Sequence, residues 1–487
     1  AKALITAAID LGRRQETEGA VLLKNNGALP LAKGSKVTLL GARSHRTIIN
    51  SGMGQASKGS YISLETALGG TKTDFANYVV TGGWGSGSGS SQAINDYNFS
   101  ELKLGGNGVA AGAGYEINPT MTAVYETTSG DLSIAQSANK SYNPQEPSLA
   151  DLAAANADYA SSFKNYGDAA IVVVGRGAGE SNDYWKGGLA DGVESSSTEP
   201  LHLTKNEEDA IKLATDNFDK VIVLVNTNSA IELGDLEDND KIDSILWIGH
   251  PGNYGLLGVA DILCGNVNPS GALYDIYATR NLSAPAMMNM GNYAWANGDD
   301  ITRRQSKNYV IEAEGLYVGY RYYETRYYDS IVNPSSNASS SAGVYASKDN
   351  KWNYDDEVVY GFGYGLSYTD FSYEITDFKL STPSAHEMYA DVTVKVTNTG
   401  DVAGKTSVQI YAQAPYTQYD KENLVEKSAV QLLGFDKTDI IAAKESATVT
   451  VSLDLQNLAS YDNTWENGDG TKGTYILENG NYFFAVG

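Results

Sequence analysis

Short apolar runs recur through the first half of the chain, and each ends at a glycine or an asparagine. Consecutive valine, isoleucine and leucine residues in runs of this kind are typical of parallel strands that are buried on both faces. Between the second and third runs, residues 204–217 carry apolar positions at helical spacing, and Glu207 follows Thr204 at the spacing of a capping box. This alternation predicts an α/β domain with a mostly parallel sheet. The four runs are 36–41, 169–175, 220–226 and 244–249.

Two further segments lack this strand pattern. Residues 4–25 place apolar side chains at helical spacing, which predicts a helix at the start of the chain. Residues 284–365 lose periodicity and become rich in tyrosine, asparagine and serine, which indicates a long connector with its own ordered parts.

After residue 366 apolar and polar residues alternate, as they do in half-buried antiparallel strands. The alternating segments are separated by turn residues, so this part of the chain is predicted to form a small all-β sandwich. The predicted domains are therefore an α/β sandwich domain over 1–283, the connector over 284–365 and a β-sandwich over 366–487. The clearest alternating segments are 391–396, 407–411, 448–452, 475–477 and 482–486.

Composition narrows the function classes. The chain has 487 residues, with 35 basic and 59 acidic side chains and a net charge of −24. No cluster of lysine and arginine is present, which disfavours a nucleic acid as partner. With 42 % hydrophobic residues the composition is that of a globular protein, and no apolar stretch is long enough to predict a membrane-spanning helix.

Cysteine and histidine usage disfavours a metal or a disulfide framework. The single cysteine, Cys264, cannot form an internal disulfide or a cysteine-based zinc site. The four histidines stand in no recognised ligand spacing. We therefore expect neither a metal ion nor a cofactor. The abundance of tyrosine, asparagine, serine and glycine would suit a secreted or surface protein of a bacterium, although the compartment stays open.

The segment that follows the second apolar run carries the most suggestive chemistry. Its glycines, at Gly175, Gly177 and Gly179, do not match the Gly-x-Gly-x-x-Gly spacing of a dinucleotide site, and acidic residues follow them. A loop at the carboxyl end of a buried strand can instead present a carboxyl group, Glu180, as a general acid. From spacing alone, an acidic loop facing solvent is the more common explanation of these residues.

Four other residues are weaker candidates. Asp183 could orient Glu180 or a sugar hydroxyl, or simply cap a turn. Arg176 could contact substrate, although a structural ion pair is the commoner role of an arginine beside a strand. Gly54 and Lys58, in the glycine-rich segment after the first apolar run, could border a substrate at the same edge, although loops of small residues are more often simple turns.

Aromatic residues are concentrated in the connector. The run at 317–323 (YVGYRYY) could form a sugar-stacking surface, but packing between domains is the more common fate of so many aromatic side chains in a connector.

Several motifs, in the same order along the chain, resemble glycoside hydrolase family three, the β-glucosidase-like enzymes. The last of them is similar to that family's fibronectin type III-like domain. The matching segments are EGAVLLKNNGALPL at 18–31, NPSG at 268–271, EGLYVGYRYYE at 314–324, YGFGYGLSY at 360–368, and NTG with VQIY within 398–411.

The resemblance implies a retaining hydrolase that removes a terminal β-linked sugar. A general acid/base glutamate lies in the family pattern Gly-Glu-Gly-x-Asp, which corresponds here to Gly179 through Asp183 and makes Glu180 the expected acid/base. Ser181 departs from the glycine of that pattern. Glucose is the default sugar, and xylose, N-acetylglucosamine and arabinose remain open.

The family's nucleophile is an aspartate in a (β/α)₈ barrel, and no motif for it occurs here. The chain most resembles the branch in which the α/β domain precedes the β-sandwich and the barrel follows. We therefore expect a barrel on a continuation of this polypeptide or on a separate chain. The alternatives are a catalytically silent carbohydrate-binding or scaffolding protein and, less well supported, a nucleotide-binding enzyme. A homo-oligomer is possible.

Overall fold

The computed structural model describes most of the chain in two compact units, Ala1–Ala272 and Leu273–Gly487. The divisions predicted at residues 283 and 365 stay predictions. The described residues are 2–51, 59–69, 76–78, 113–133, 135–136, 141–177, 183–291, 293–301, 307–333, 352–384 and 387–487.

A six-stranded sheet forms the centre of the first unit, in the order β1-β10-β9-β8-β2-β6. All neighbours are parallel except β1, which runs antiparallel to β10. All eight residues of β8 and all seven of β9 are buried, because helices cover both faces, so the predicted α/β fold is confirmed. The strands β1 to β10 are Val21–Asn25, Lys36–Leu40, Asn50–Ser51, Gly59–Tyr61, Ala76–Tyr78, Glu116–Ile117, Ala135–Gln136, Ala169–Arg176, Val221–Thr227 and Ser244–Trp247.

The helices of the first unit connect these strands. The predicted helix after Thr204 is present, and the carboxylate of Glu207 accepts the Thr204 backbone N–H at 2.9 Å, as its capping-box spacing predicted. The helical segments are Lys2–Gly19, Ala42–His45, Leu64–Gly69, Pro119–Ser129, Leu149–Ala155, the 3₁₀ helix Tyr159–Asn165, Lys205–Asn217, Gly234–Glu237 and Leu256–Leu263.

The helix predicted from residues 4–25 was wrong over its last residues. The helix stops at Gly19, and Val21–Asn25 forms the edge strand β1 instead of a continuing helix. Three consecutive apolar residues fit either structure locally, and antiparallel pairing with β10 decides between them.

The N-terminal helix is fixed to the helix Leu256–Leu263. Arg13 makes a two-pronged ion pair with the nearly buried carboxylate of Asp261, with one hydrogen bond of 2.7 Å. The helices approach so closely at Gly258 that a Cβ there would lie 2.5 Å from the Arg13 carbonyl oxygen. Glycine is therefore required for this contact.

The second unit contains the predicted antiparallel sandwich. Its two main sheets have the orders β15-β16-β19 and β18-β17-β22, and alternate residues such as Val392, Val394 and Val396 fill the core between them. The fold class is confirmed. The strands β11 to β22 are Tyr277–Ala278, Tyr293–Ala294, Asn308–Tyr309, Val358–Tyr360, Phe371–Ser384, Glu387–Asn398, Ser407–Gln413, Gln431–Lys437, Ser446–Asp454, Ser460–Glu466, Lys472–Ile476 and Phe483–Val486.

Aromatic residues ahead of the sandwich pack in a small core of their own. Tyr323 and Trp352 are buried there beside Ile276, so Tyr323 packs inside the second unit. The packing between domains that the sequence suggested for this run stays a prediction. None of the helices that the structure describes is long and apolar enough to cross a membrane. The helical segments of this unit are Asn281–Ser283, Pro285–Asn289, Gly298–Ile301, Tyr320–Tyr327, Tyr328–Val332, Tyr354–Glu357, Gln418–Asn423 and Leu455–Leu458.

Candidate active site

The parallel strands of the first unit end together at one edge, where open α/β sheets commonly bind ligands. Gly41 directly follows β2 and has a φ of 84°. A Cβ at this position would lie 2.5 Å from the Val173 carbonyl oxygen of β8, so only glycine allows the backbones to approach so closely. This close approach sets the start of the segment after β2 against β8.

Arg176, the last residue of β8, is fully buried and uses its five N–H donors inside the protein. Two of them pair with Glu207, at 2.5 and 2.9 Å. The other three reach the carbonyl oxygens of Gly175 at 2.9 Å, Pro200 at 2.6 Å and His202 at 2.8 Å. With no donor left for a substrate, this side chain fits a loop-orienting role.

Two side chains hold the backbone where the loop after β8 begins. The hydroxyl of Tyr184 donates to the Gly177 carbonyl oxygen, and Nε2 of His250 donates to the Arg176 carbonyl oxygen at 3.0 Å. Burial lowers the pKa of His250 to about 4, and the nearby charge of Arg43 acts in the same direction. The imidazole is therefore neutral at physiological pH, with its proton on Nε2.

The remaining sequence candidates do not all fall within the described part of the chain. Glu180, Gly54 and Lys58 lie outside the described residues. Asp183 is exposed and is the first described residue after that gap. The structure thus describes the chain up to Gly177, three residues before Glu180, and again from Asp183, three residues after it.

Asn226, near the end of β9, is a buried residue whose role the sequence pattern did not predict, because it looks like the end of an apolar run. Its Oδ1 accepts the Ile48 N–H at 2.7 Å. Its Nδ2 donates to the carbonyl oxygens of Ile48 at 2.9 Å and Gly249 at 2.7 Å. One amide therefore joins the loops after β2 and β10. The available signal was a polar residue closing an otherwise apolar strand.

Replacing Asn226 by alanine is expected to destabilise the first unit by roughly 3 kcal/mol or more. The change would leave one buried N–H and two buried carbonyl groups without partners, and each such group costs about 1–3 kcal/mol. Urea unfolding measures this effect. Asn217→Ala is the matched control, because Asn217 is exposed and bonds only within its own helix; equal losses in both variants would contradict the assigned role of Asn226.

Glu146 places a carboxyl group in the interior near the end of β2. Its Oε2 accepts the Ala42 N–H at 2.6 Å, while its Oε1 is inaccessible to solvent and has no hydrogen bond within the described structure. Burial raises the pKa of this carboxyl to about 8. Glu146 is therefore largely protonated at neutral pH.

This carboxyl predicts a pH dependence of stability. Between the unfolded pKa of about 4.5 and the folded pKa of about 8, the folded state holds a proton that the unfolded state has lost. The free energy of unfolding should therefore fall as pH rises through this window, by a few kcal/mol at ~1.4 kcal/mol per pKa unit.

Glu146→Gln should remove this contribution, so the variant should lose less stability than the wild type between pH 5 and pH 8. Urea unfolding at both pH values tests the difference, with the exposed residue Glu116 changed to glutamine as control. A variant that loses as much stability as the wild type would contradict the buried, protonated carboxyl.

Among the described residues, histidine, cysteine, aspartate and glutamate form no group of three or more that could hold a metal ion. The arrangement at this edge consists of strand ends, backbone carbonyl groups and buried polar side chains. Such an edge can present and support a loop side chain.

Both parts of the chain match known domain families. Residues 20–368 match the glycosyl hydrolase family 3 C-terminal domain. Residues 406–487 match a fibronectin type III-like domain. The first match covers most of the first unit and extends through the aromatic segment that precedes the sandwich.

The chain is also similar in sequence to individual proteins. The chain is 29 % identical over 504 residues to Beta-glucosidase A of Butyrivibrio fibrisolvens, covering 98 % of this chain and 49 % of that protein. It is 29 % identical over 320 residues to a Beta-glucosidase of Ruminococcus albus, covering 66 % of this chain and 27 % of that protein.

A solved structure shares the fold over nearly the whole chain. The crystal structure of a beta-glucosidase from Paenibacillus barengoltzii superposes with a TM-score of 0.67 at 26 % identity, covering 98 % of this chain and 41 % of that one. The present chain thus spans about half the length, or less, of the proteins it matches.

Proposed function

The chain belongs to glycosyl hydrolase family 3, and from that premise we propose that it supplies the general acid/base half of a retaining β-glycosidase. The nucleophilic aspartate would come from a (β/α)₈ barrel that is not among these 487 residues. The observation that carries this proposal is the motif from Gly179 to Asp183, which follows the buried strand β8 inside the region that matches the family domain.

The proposed chemistry needs two carboxyl groups about 5–5.5 Å apart. The barrel aspartate attacks the anomeric carbon while Glu180 protonates the departing glycosidic oxygen, giving a covalent glycosyl-enzyme. Glu180 then removes a proton from water, which displaces the aspartate, and the configuration at the anomeric carbon is retained.

The described residues at the sheet edge support this role. Arg176 draws the segment around Pro200 and His202 onto the end of β8, while Tyr184 and His250 bind the backbone carbonyls at which the acid loop begins. We assign them the positioning of Glu180. Asp183, at the other end of the loop, remains a candidate to orient the acid or a sugar hydroxyl.

The names of the relatives support a proposal for the substrate. Both relatives named above are called beta-glucosidases, so a terminal β-linked glucose is the proposed substrate. Gly54 and Lys58 remain candidates for its binding. Self-association of the chain stays a prediction.

Activity of the chain with and without a barrel tests the proposal. The 487 residues alone should not hydrolyse an aryl β-glucoside, whereas the complete product of the gene, or this chain joined by its barrel partner, should do so with retention of configuration. If no such product or partner hydrolyses any aryl β-glycoside, the chain is a carbohydrate-binding or scaffolding protein and the proposal fails.

A further inference from the structure

The second unit contains an open cavity of about 990 Å³. It lies between the segment that follows the helix Tyr320–Tyr327 and the loop that leaves β17. Its size suits a small ligand of a few sugar rings, since ligand cavities commonly measure 300–1,000 Å³.

Aromatic side chains border this cavity from several elements. Tyr317 and Tyr328 come from the aromatic segment, and Tyr416 comes from the loop after β17. Tyr416 is 58 % exposed and Phe483, on β22, is 62 % exposed. Exposed ring faces of this kind stack against the apolar C–H faces of pyranose rings, because they remove apolar surface from water on both sides.

Polar side chains with unused hydrogen-bonding capacity lie among these rings. Within the described structure, the side chains of Gln413, Glu426 and Asn481 form no hydrogen bond or ion pair with another residue, and all three line the cavity. Together they offer planar carboxylate and amide groups, which suit the adjacent hydroxyls of a sugar.

The connection between β17 and β18, which carries Tyr416 and Glu426, is held in place. Nζ of Lys427, which is nearly buried, donates to the Pro415 carbonyl oxygen at 3.0 Å and pairs with Asp420 at 2.8 Å and with Glu478. The Ala429 N–H donates to the Thr325 hydroxyl at 2.9 Å. A preformed site of this kind loses little free energy to ordering when a ligand binds.

The charges that line the cavity disfavour anionic ligands. The lining carries the carboxylates Asp329 and Glu426 against one exposed lysine, Lys421, and the positive charge of Lys427 is already neutralised by its two acidic partners. Burial raises the pKa of Asp329 and raises that of the Tyr317 hydroxyl to about 12. The site therefore lacks the excess of positive charge that a phosphate or nucleotide would need.

We propose that this cavity binds a neutral β-linked oligosaccharide, with Tyr416 stacking on a sugar ring and Gln413, Glu426 and Asn481 hydrogen-bonding its hydroxyls. The choice of a β-linked sugar rests on the proposed function, whereas the preference for a neutral polyhydroxyl ligand rests on the cavity itself.

Calorimetric titration of the 487-residue chain tests the proposal, with cellotetraose, xylotetraose and choline chloride as probes. Saturable binding of at least one tetrasaccharide is expected, and Tyr416→Ala should weaken it by about tenfold or more. Gln413→Ala is a second variant from a different element and should also weaken it. Tyr475→Ala is the matched control, because Tyr475 is an exposed tyrosine on β21 that does not line this cavity.

Three results would overturn the proposal: no saturable binding of either tetrasaccharide, equal affinity in the Tyr416→Ala and wild-type chains, or binding of choline alone. The titration needs no turnover. Failure of hydrolysis by the complete enzyme therefore overturns the proposed function without affecting this measurement, and loss of binding here leaves the acid/base assignment intact.

Discussion

Replacing Glu180 by glutamine in the complete, barrel-containing enzyme is expected to lower kcat/KM by roughly 10²–10⁴ on glycosides with poor leaving groups. Such leaving groups need a proton as the glycosidic bond breaks, and the amide cannot supply one. On 2,4-dinitrophenyl glycosides the bond-breaking step should lose much less, because that leaving group departs without protonation. The measurement is the dependence of kcat/KM on the pKa of the leaving group.

Glu194→Gln is the control for this series. Glu194 is an exposed carboxylate further along the same connection between β8 and β9, and its loss should leave both classes of substrate unaffected. Equal losses on activated and unactivated glycosides in the Glu180 variant would contradict an acid role. No loss on either would remove Glu180 from the mechanism.

Replacing Arg176 by methionine is expected to destabilise the first unit by about 3–5 kcal/mol, the usual effect of removing one partner from a buried ion pair. Methionine fills part of the volume but leaves the Glu207 carboxylate buried without its cation. The carbonyl oxygens of Pro200 and His202 also lose their donor. Denaturant unfolding with a probe in the first unit measures the change in unfolding free energy.

The exposed pair Lys212–Asp216 supplies the matched control. Lys212→Met also removes a cation from an ion pair, but in contact with solvent, and should change stability by no more than about 0.5 kcal/mol. The double variant Arg176→Met with Glu207→Gln should recover part of the loss, because the buried charge is removed with its partner. Similar losses at Arg176 and Lys212 would contradict the structural role assigned to the buried pair Arg176–Glu207.

Those elements of the fold could be predicted whose structure is decided by a short stretch of sequence. The strands β8 and β9 are apolar at consecutive positions because both faces are covered, and a window of seven or eight residues contains that information. The segment Val21–Asn25 was misread because its apolar residues suit a helix as well as a strand. Its partner β10 is more than two hundred residues away in the chain.

Only part of the candidate site could be predicted from the sequence. The assignment of Glu180 came from the resemblance to a family, since spacing alone favoured an acidic loop facing solvent. The ion pair of Arg176 with Glu207 depends on the path of the intervening loop, which no local pattern encodes. Asn226 was missed because an asparagine at the end of a strand resembles a turn residue, and its partners Ile48 and Gly249 become neighbours only in the folded sheet.

Azide rescue of a Glu180→Ala variant of the complete enzyme tests the central claim most directly. In a retaining glycosidase that lacks its acid/base, azide needs no deprotonation and can attack the glycosyl-enzyme in place of water. With a 2,4-dinitrophenyl β-glucoside we expect azide to restore turnover and NMR to identify a β-glucosyl azide. An α-glucosyl azide would instead identify Glu180 as the nucleophile, and an absence of rescue would contradict its acid/base role.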